Sequence, residues 1–316
     1  MVLMNEIFDL AIVGGGPAGA SAAIYAARKR LKTIFITNEW GGQSSVSADI
    51  ENWVGTPHIS GLDLAKNLRT HVETYASDII TIATPELATG ITVQNKRINI
   101  ATQKGSHYEA KALFVASGSS RRKLDVPGAA EYDQKGLTYC ASCDGPLFTG
   151  KDVAVIGGGN AAFETALQLL AYCKTVTLLN RTDTFRADEV TVAAVKARAN
   201  MRIVNNALVK NVEGNPPPRG FVTGIRYTDA VSGTETLLPV EGIFVEIGLL
   251  PNTTWLGETV AKNAVGQVVV DPKTQRASHA GIWAAGDCTD GLYHQNNIAA
   301  GDAVKALEDI YISLHR

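Results

Sequence analysis

Two stretches of this chain repeat one pattern, an apolar run, a glycine-rich turn and an alanine-rich helical stretch, and that repetition restricts the fold more than any other feature. The first copy reads IFDLAIVGGGPAGASAAIYAAR, with Gly14, Gly16 and Gly19 at the turn. The second reads KDVAVIGGGNAAFETALQLLAYCKTVTLLN, with Gly157, Gly159 and Ala162 in the corresponding places, followed in each case by a second apolar strand. Strand, tight turn and helix in this order make a dinucleotide-binding unit. Gly14 lets the chain turn, Gly16 lets the backbone approach a pyrophosphate, and Gly19 lets the helix pack close to its strand, while the helix start supplies N–H donors and a positive dipole end. The copies run at a constant offset, so Thr37 at the end of TIFIT pairs with Asn180 at the end of TVTLLN. One glycine pattern is a weak signal; two in register predict an α/β fold of two Rossmann-like dinucleotide-binding domains.

Between the copies lies Cys140-Ala141-Ser142-Cys143-Asp144. Two cysteines separated by two residues can close a small disulfide ring, and a helix beginning there lowers the thiol pKa and favours the attacking thiolate. Asp144 does not help thiolate formation, because a neighbouring carboxylate raises a thiol pKa. Its useful role is as proton donor or acceptor when the dithiol forms or opens. A zinc site needs two further ligands at suitable spacing. Cys173 and Cys288, the rest of the four cysteines, stand singly and read as small buried residues, so no metal is expected. Two dinucleotides and a dithiol together imply an electron relay.

At 316 residues, 45% of them hydrophobic, the chain has material for about two cores. A net charge of -2 gives no long-range field for nucleic acid or an anionic membrane. MVLMNEIFD has neither a basic n-region nor a long apolar segment, so no signal peptide or anchor is expected, and a cytoplasmic location follows. The expected order is discontinuous. Residues 1–117 and 247–316 form one domain, to which GIWAAGDCTDG returns with an apolar run ending in Gly286-Asp287. Residues 118–246, inserted into it, carry the CxxC and the second glycine turn. VGQVVVD at 265–271 reads as a strand, and NPPPRG at 215–220 as a turn-rich loop between strands.

The chain resembles the low-molecular-weight thioredoxin reductases and the similar C-terminal portion of the alkyl hydroperoxide reductase flavoprotein subunit. GGGPAG, GGQSSVSADIENW, YCASCDGPLF, VIGGGNAAFE, DTFRAD, GIFVEIGLLPNT and AAGDC occur in the family's order across nearly the whole chain. The resemblance implies an FAD/NAD(P)-linked disulfide reductase fold, with FAD in the first domain. Its contacts would come from Gly14, Gly16, Gly19, Thr37, Gly42, Gln43, Asn52, Ser117, Gly118, Gly286, Asp287, His294 and Gln295. A nicotinamide cofactor would lie at Gly157, Gly159, Asn160, Ala161, Arg181 and Arg186. The resemblance further implies a homodimer and a domain rotation that presents the nicotinamide site and the CxxC to the flavin in turn. In the implied mechanism NADPH reduces FAD, which reduces the Cys140–Cys143 disulfide. Cys143 lies nearer the flavin, Asp144 manages the proton, and Cys140 attacks the disulfide of a separate thioredoxin-like protein through a mixed disulfide.

Two departures fall on the electron-input side. The family's HRRxxxR run, which grips the 2′-phosphate of NADPH, reads here Asn180-Arg181-Thr182-Asp183-Thr184-Phe185-Arg186. Each charge-assisted hydrogen bond to phosphate is worth ~1.5–3 kcal/mol, so one missing arginine weakens discrimination without abolishing it. No acidic residue occupies Asn180 to hold a bare ribose diol, which favours NADPH over NADH. The second departure is Tyr293-His294-Gln295-Asn296-Asn297, where the family has arginine before the glutamine and a small apolar residue after it. Ferredoxin as donor is the alternative, ranked second because GGGNAAFE persists. A dithiol oxidase is the other, disfavoured because such relatives carry histidine in place of Asp144.

Overall fold

The computed structural model describes residues 7–47, 50–216 and 220–315, the side chains of Ser142 and Cys143 excepted. The chain divides into two compact units, 1–120 with 250–316, and 121–249. These crossings lie three residues beyond the expected ones at 117/118 and 246/247.

In chain order the first unit begins with β1 (Ile7–Gly15), α1 (Pro17–Arg28), β2 (Thr33–Trp40), α2 (Gly61–Ala76), β3 (Ile80–Ala83), β4 (Ala88–Gln94), β5 (Arg97–Thr102) and β6 (His107–Val115). β7 (Ser119–Arg121) carries the chain out. The second unit holds β8 (Leu137–Thr138), α3 (Ala141–Asp144), β9 (Asp152–Ile156), α4 (Asn160–Leu169), β10 (Thr175–Leu179), α5 (Glu189–Lys196) and β11 (Met201–Val204). It continues through β12 (Ala207–Gly214), β13 (Val222–Asp229), β14 (Glu235–Pro239) and β15 (Gly242–Val245). The chain returns through β16 (Leu249–Pro251), which pairs with β7, and ends in β17 (Ile282–Ala284) and α6 (Asn296–Leu314).

The first sheet runs β3-β2-β1-β6, with β5-β4 beyond it. β6 is shared along its length: its first half pairs antiparallel with β5 through Ile98↔Ala110 and Ala101↔His107, and its second half pairs parallel with β17 through Leu113↔Ile282 and Val115↔Ala284. Because both faces are covered, these strands are near-continuous apolar runs rather than alternating ones. Leu10, Ile12, Phe35 and Phe114 pack on one side, and Ala11, Ile34, Ile36 and Leu113 on the other. The alanines of α1 serve this arrangement. Ala20, Ala22, Ala23 and Ala26 are fully buried, and their small side chains let α1 lie close to both the sheet and α6.

The second unit repeats the scheme with an all-parallel sheet, β11-β10-β9-β15-β8, and adds an antiparallel β12-β13-β14 sheet. Between β12 and β13, Asn215 N–H donates to the Phe221 carbonyl at 3.0 Å; Pro217, Pro218 and Arg219 of the NPPPRG loop lie outside the described residues. VGQVVVD does not form a strand. Val268 and Val270 make only isolated bridges, to Lys262, Thr289 and Ala277, with no continuous partner strand beside them.

The two glycine turns are built alike. Gly14 and Gly157 have φ of 121° and 149°, which disfavours any side chain. A Cβ on Gly14 would lie 2.1 Å from the Ala116 carbonyl oxygen just beyond β6, and one on Gly157 would lie 2.2 Å from the Glu246 carbonyl oxygen just beyond β15. A Cβ on Gly19 would fall 1.8 Å from the Gly14 carbonyl oxygen. Gly19→Ala therefore forces α1 off its strand, and a loss of at least about 1–3 kcal/mol is expected. A guanidinium unfolding midpoint equal to that of the unaltered protein would contradict this.

Candidate functional site

The turn between β1 and α1 opens into a cavity of about 650 Å³ within the first unit. Of the residues expected from the sequence, Gly14, Gly16, Thr37, Gly42, Gln43, Ser117, Gly118, Gly286 and Asp287 line it. Four do not. Gly19 lies behind the turn as packing, and Asn52, His294 and Gln295 belong to a neighbouring pair of loops. There Asn52 donates to the Gln295 side chain at 3.1 Å, and Asn297 donates to the Asn52 carbonyl at 2.6 Å. The unusual paired asparagines thus have assigned work: Asn297 fastens the loop at Asn52, and Asn296, at the first turn of α6, accepts from Ser44 at 2.8 Å and lines the cavity.

Several lining residues escaped the sequence reading. Glu39 stands near the end of β2, where Thr37 Oγ1 donates to its carbonyl at 2.5 Å. Its place, about 20 residues beyond the glycine turn, is where a carboxylate meets a ribose diol, and that spacing was a usable signal. Asn252 and Trp255 reach the cavity from far along the chain, and so does Asn296, one of the paired asparagines already singled out on the electron-input side. Asn252 and Ser117 are mutually fastened, Ser117 Oγ donating to the Asn252 carbonyl at 2.6 Å and Asn252 Nδ2 to the Ser117 carbonyl at 3.0 Å.

The cavity suits a dinucleotide. A Cβ on Gly16 or Gly118 would meet no protein atom within 4 Å, so any side chain there would occupy space that is otherwise open. Its volume is in the range of small-molecule and cofactor sites. At its rim the Glu86 carboxylate, 6% exposed, accepts from Ser106 at 2.6 Å, Thr102 at 2.8 Å and Tyr108 at 2.9 Å. The Ser106 hydrogen bond leads in holding its carboxyl below the ordinary 4.5, against the opposing effect of burial, with Thr102 and Tyr108 adding to it.

In the second unit the corresponding turn also has a free face: a Cβ on Gly159 would meet nothing within 4 Å, whereas one on Gly158 would strike Asn180 Oδ1 at 2.2 Å. Asn180, 3% exposed, spends its amide on the loop that follows, donating to the carbonyls of Thr182 at 2.8 Å and Thr184 at 2.9 Å. That folds residues 181–186 back so that Arg186 N–H donates to the Gly158 carbonyl at 2.8 Å. Arg181 and Arg186 are exposed. Ala161 follows Asn160 in the first turn of α4. Asn160 is tied to the start of α5, donating to Asp188 at 3.0 Å and accepting from Asp188 N–H at 2.7 Å. Behind the turn the Glu246 side chain, 8% exposed, accepts from Arg121 at 2.6 Å and Thr165 at 3.0 Å. Burial pushes its carboxyl up, and these two partners offset the rise only in part.

Cys140 precedes α3 and is held in a disulfide, while Cys173 and Cys288 are free and buried. Burial pushes both free thiols up to about 11, which makes them inert at neutral pH. The Cys143 side chain lies outside the described residues. α3 is a single turn, so the helix dipole expected to favour the thiolate is slight here. Thr138 donates to Asp144 Oδ2 in a short hydrogen bond and accepts from Cys140 N–H at 3.2 Å, while Asp144 N–H donates to the Cys140 carbonyl at 3.1 Å. Among the described residues no group of three His, Cys, Asp or Glu is placed to hold a metal, and no helix is long and apolar enough to cross a membrane.

Two dinucleotide turns and a disulfide beside a carboxylate define a nucleotide-linked disulfide oxidoreductase. The chain belongs to the pyridine nucleotide-disulphide oxidoreductase family, whose model matches residues 8–303, and membership implies a flavin and a pyridine nucleotide as cofactors. It is 41% identical over 302 residues to the F subunit of alkyl hydroperoxide reductase from Escherichia coli (strain K12), an alignment covering 96% of this chain and 57% of that protein. It is 39% identical over 303 residues to a Bacillus subtilis (strain 168) protein described as NADH dehydrogenase, covering 96% and 58%. The chain thus spans somewhat over half the length of these relatives. Among solved structures, Lactococcus lactis thioredoxin reductase in its FR conformation superposes with a TM-score of 0.91 at 29% identity, covering 98% of this chain and 99% of that one. Thioredoxin reductase of T. acidophilum gives 0.88 at 35% identity, covering 97% and 98%.

The Glu86 network has a pH signature. A depressed folded pKa contributes stability that is present above about 4.5 and is lost as pH falls through the lower folded value. Ser106→Ala removes the leading hydrogen bond to this carboxylate and is expected to cost about 1.5–3 kcal/mol at neutral pH. The deficit should shrink below pH ~4.5 as Glu86 takes up a proton. Denaturant midpoints at neutral and acid pH measure this, and a deficit of equal size at both would contradict it.

Proposed function

We propose that this protein is a flavin-dependent disulfide reductase that moves electrons from NADPH to the disulfide of a thioredoxin-like small protein. The observation that carries the reading is the Cys140 disulfide beside Asp144, in the unit that also bears the second glycine turn. Bound in the first unit's cavity, FAD would supply two-electron carriage between nicotinamide and dithiol. Gly16 and Gly118 would admit it, Glu39 would hold its ribose hydroxyls, and Asp287, with Gln43, Asn52, His294 and Gln295 nearby, would orient the remainder.

In the outgoing step the Cys140 thiolate attacks the partner's disulfide, forming a mixed disulfide and releasing one partner sulfur, which takes a proton. Cys143 then attacks Cys140, re-forming the internal disulfide and expelling the second partner sulfur, which is also protonated. Two electrons leave with two protons, and Asp144 relays the proton surrendered by the Cys143 thiol. At the second turn the nicotinamide nucleotide would lie along Gly157, Gly159, Asn160 and Ala161, with Arg181 and Arg186 on a 2′-phosphate. A homodimer working in the cytoplasm, where buried reduced thiols such as Cys173 and Cys288 are ordinary, completes the proposal.

A second donor, NADH, is favoured by one observation: a relative 39% identical is described as NADH dehydrogenase. Anaerobic titration of the flavoprotein with each nucleotide decides between them. Bleaching near stoichiometric NADPH, with NADH much weaker, is expected. The reverse order would assign NADH, and bleaching by neither would point to ferredoxin or another donor. Gly16→Val tests the cavity separately. Because its side chain would meet open space rather than protein, the variant is expected to keep the unfolding midpoint of flavin-free protein yet to purify without the visible flavin band. Full flavin content would place the cofactor elsewhere.

A further inference from the structure

Thr138 is a buried hydroxyl that none of the motifs above includes. It lies on β8, a two-residue strand whose partner register is fixed by Phe244↔Thr138, and it is 3% exposed. Its β-branched side chain has few rotamers there. A bond from Thr138 to the N–H two residues on is by itself a local turn device that any Ser or Thr can make. The same oxygen, however, also meets the Asp144 carboxylate. The Cys140 N–H can only donate, so it occupies a lone pair of Oγ1 and leaves the hydroxyl hydrogen for Asp144 Oδ2. One side chain therefore ties the backbone of the first cysteine to the carboxylate that follows the second.

We propose that Thr138 is the positioning residue of the dithiol site: its hydroxyl holds Asp144 by Oδ2, so that the proton released or taken up by the thiols is exchanged at Oδ1. The inference rests on the reading of Asp144 as proton carrier. When the dithiol closes against an external disulfide, two thiol protons leave the protein, two electrons pass to the external sulfurs, and one of the protons passes through Asp144 Oδ1. By donating to Oδ2 while accepting from the Cys140 N–H, Thr138 fixes the orientation of the Asp144 carboxylate relative to the backbone of the first cysteine. Among the described residues the titratable groups near α3 include the buried Cys173, in one apolar cluster with Ala141. Glu164 is exposed on α4, Tyr172 follows α4 with its hydroxyl against Gly145, and Lys151 stands 5.4 Å from the Phe148 ring centroid; the thiols of Cys140 and Cys143 belong to the site itself.

The test uses the holoprotein, reduced anaerobically with dithiothreitol, desalted, and mixed with dithionitrobenzoate across a range of pH. Each dithiol that closes reduces one aromatic disulfide to two coloured thiolates, while Cys173 and Cys288, with thiols pushed up to about 11, stay silent in the fast phase. Asp144→Asn is expected to remove one inflection from the rate profile. Thr138→Ser should keep that inflection at its original pH. Thr138→Val should displace it, because the hydrogen bond that holds Asp144 Oδ2 is lost. The double variant Thr138→Val with Asp144→Asn should match Asp144→Asn alone, since two residues acting through one contact are not additive. Should Thr138→Val not fold, Thr138→Ala is read in the same way. An unmoved inflection in the Thr138 variants, with Asp144→Asn effective, overturns the role of Thr138 alone. An unaltered profile in Asp144→Asn overturns the proton-carrier reading and the inference with it.

Discussion

Everything in this fold hangs on two close backbone approaches. At each glycine turn the chain passes within van der Waals contact of the carbonyl just beyond a neighbouring strand, Ala116 in one unit and Glu246 in the other, and no side chain fits between. Only where that contact is kept can the helix after the turn lie along the sheet with its first N–H groups facing the strand ends, the place where a phosphate is stabilised. The alanine-rich face of α1 and the small residue at Ala162 carry the same constraint into the helix packing.

The parts that were legible in the sequence are those governed by local geometry. A residue at φ of 121° or 149° is nearly always glycine, so Gly14 and Gly157 announced themselves, as did the apolar runs of a sheet covered on both faces. Legibility failed where function is assembled from distant segments. Trp255 carries no mark in the sequence, and it reaches the cavity together with Asn252, which Ser117 holds just beyond β6, and with Asn296 at the start of α6. Glu39 was overlooked for a different reason: the apolar run ends at Thr37, whereas β2 runs on to Trp40. VGQVVVD misled because alternation requires a partner strand as well as a pattern, and 265–271 has only isolated bridges. Asn52, His294 and Gln295 sit beside the cavity's loops rather than on its lining, a distinction that motif order does not carry.

Buried polar groups show how the chain divides its chemistry. Asn180, Glu86 and Glu246 are all largely withdrawn from water, and each is satisfied by neighbours that fix a loop or a strand end. Such groups are costly when stranded and specific when paired, so they hold the two turns in single arrangements. The cysteines divide likewise. Cys288 donates weakly to the Ala285 carbonyl at 3.4 Å in a fully buried setting, and its thiol is unreactive, while Cys140 is kept apart from such surroundings on a short turn next to a carboxylate.

The split strand pairing of β6 bears on how the molecule is made. Its second half has no neighbour on that side until residues 282–284 are available, so the first unit carries an open sheet edge while the inserted unit is being synthesised. The inserted unit, contiguous in sequence, has all its strands earlier, and domains fold as units during synthesis. Assembly is thus out of order with the numbering. The middle of the chain matures first, and the unit that begins translation is the last to close, its exposed edge being the point at which a nascent chain is most open to a wrong partner.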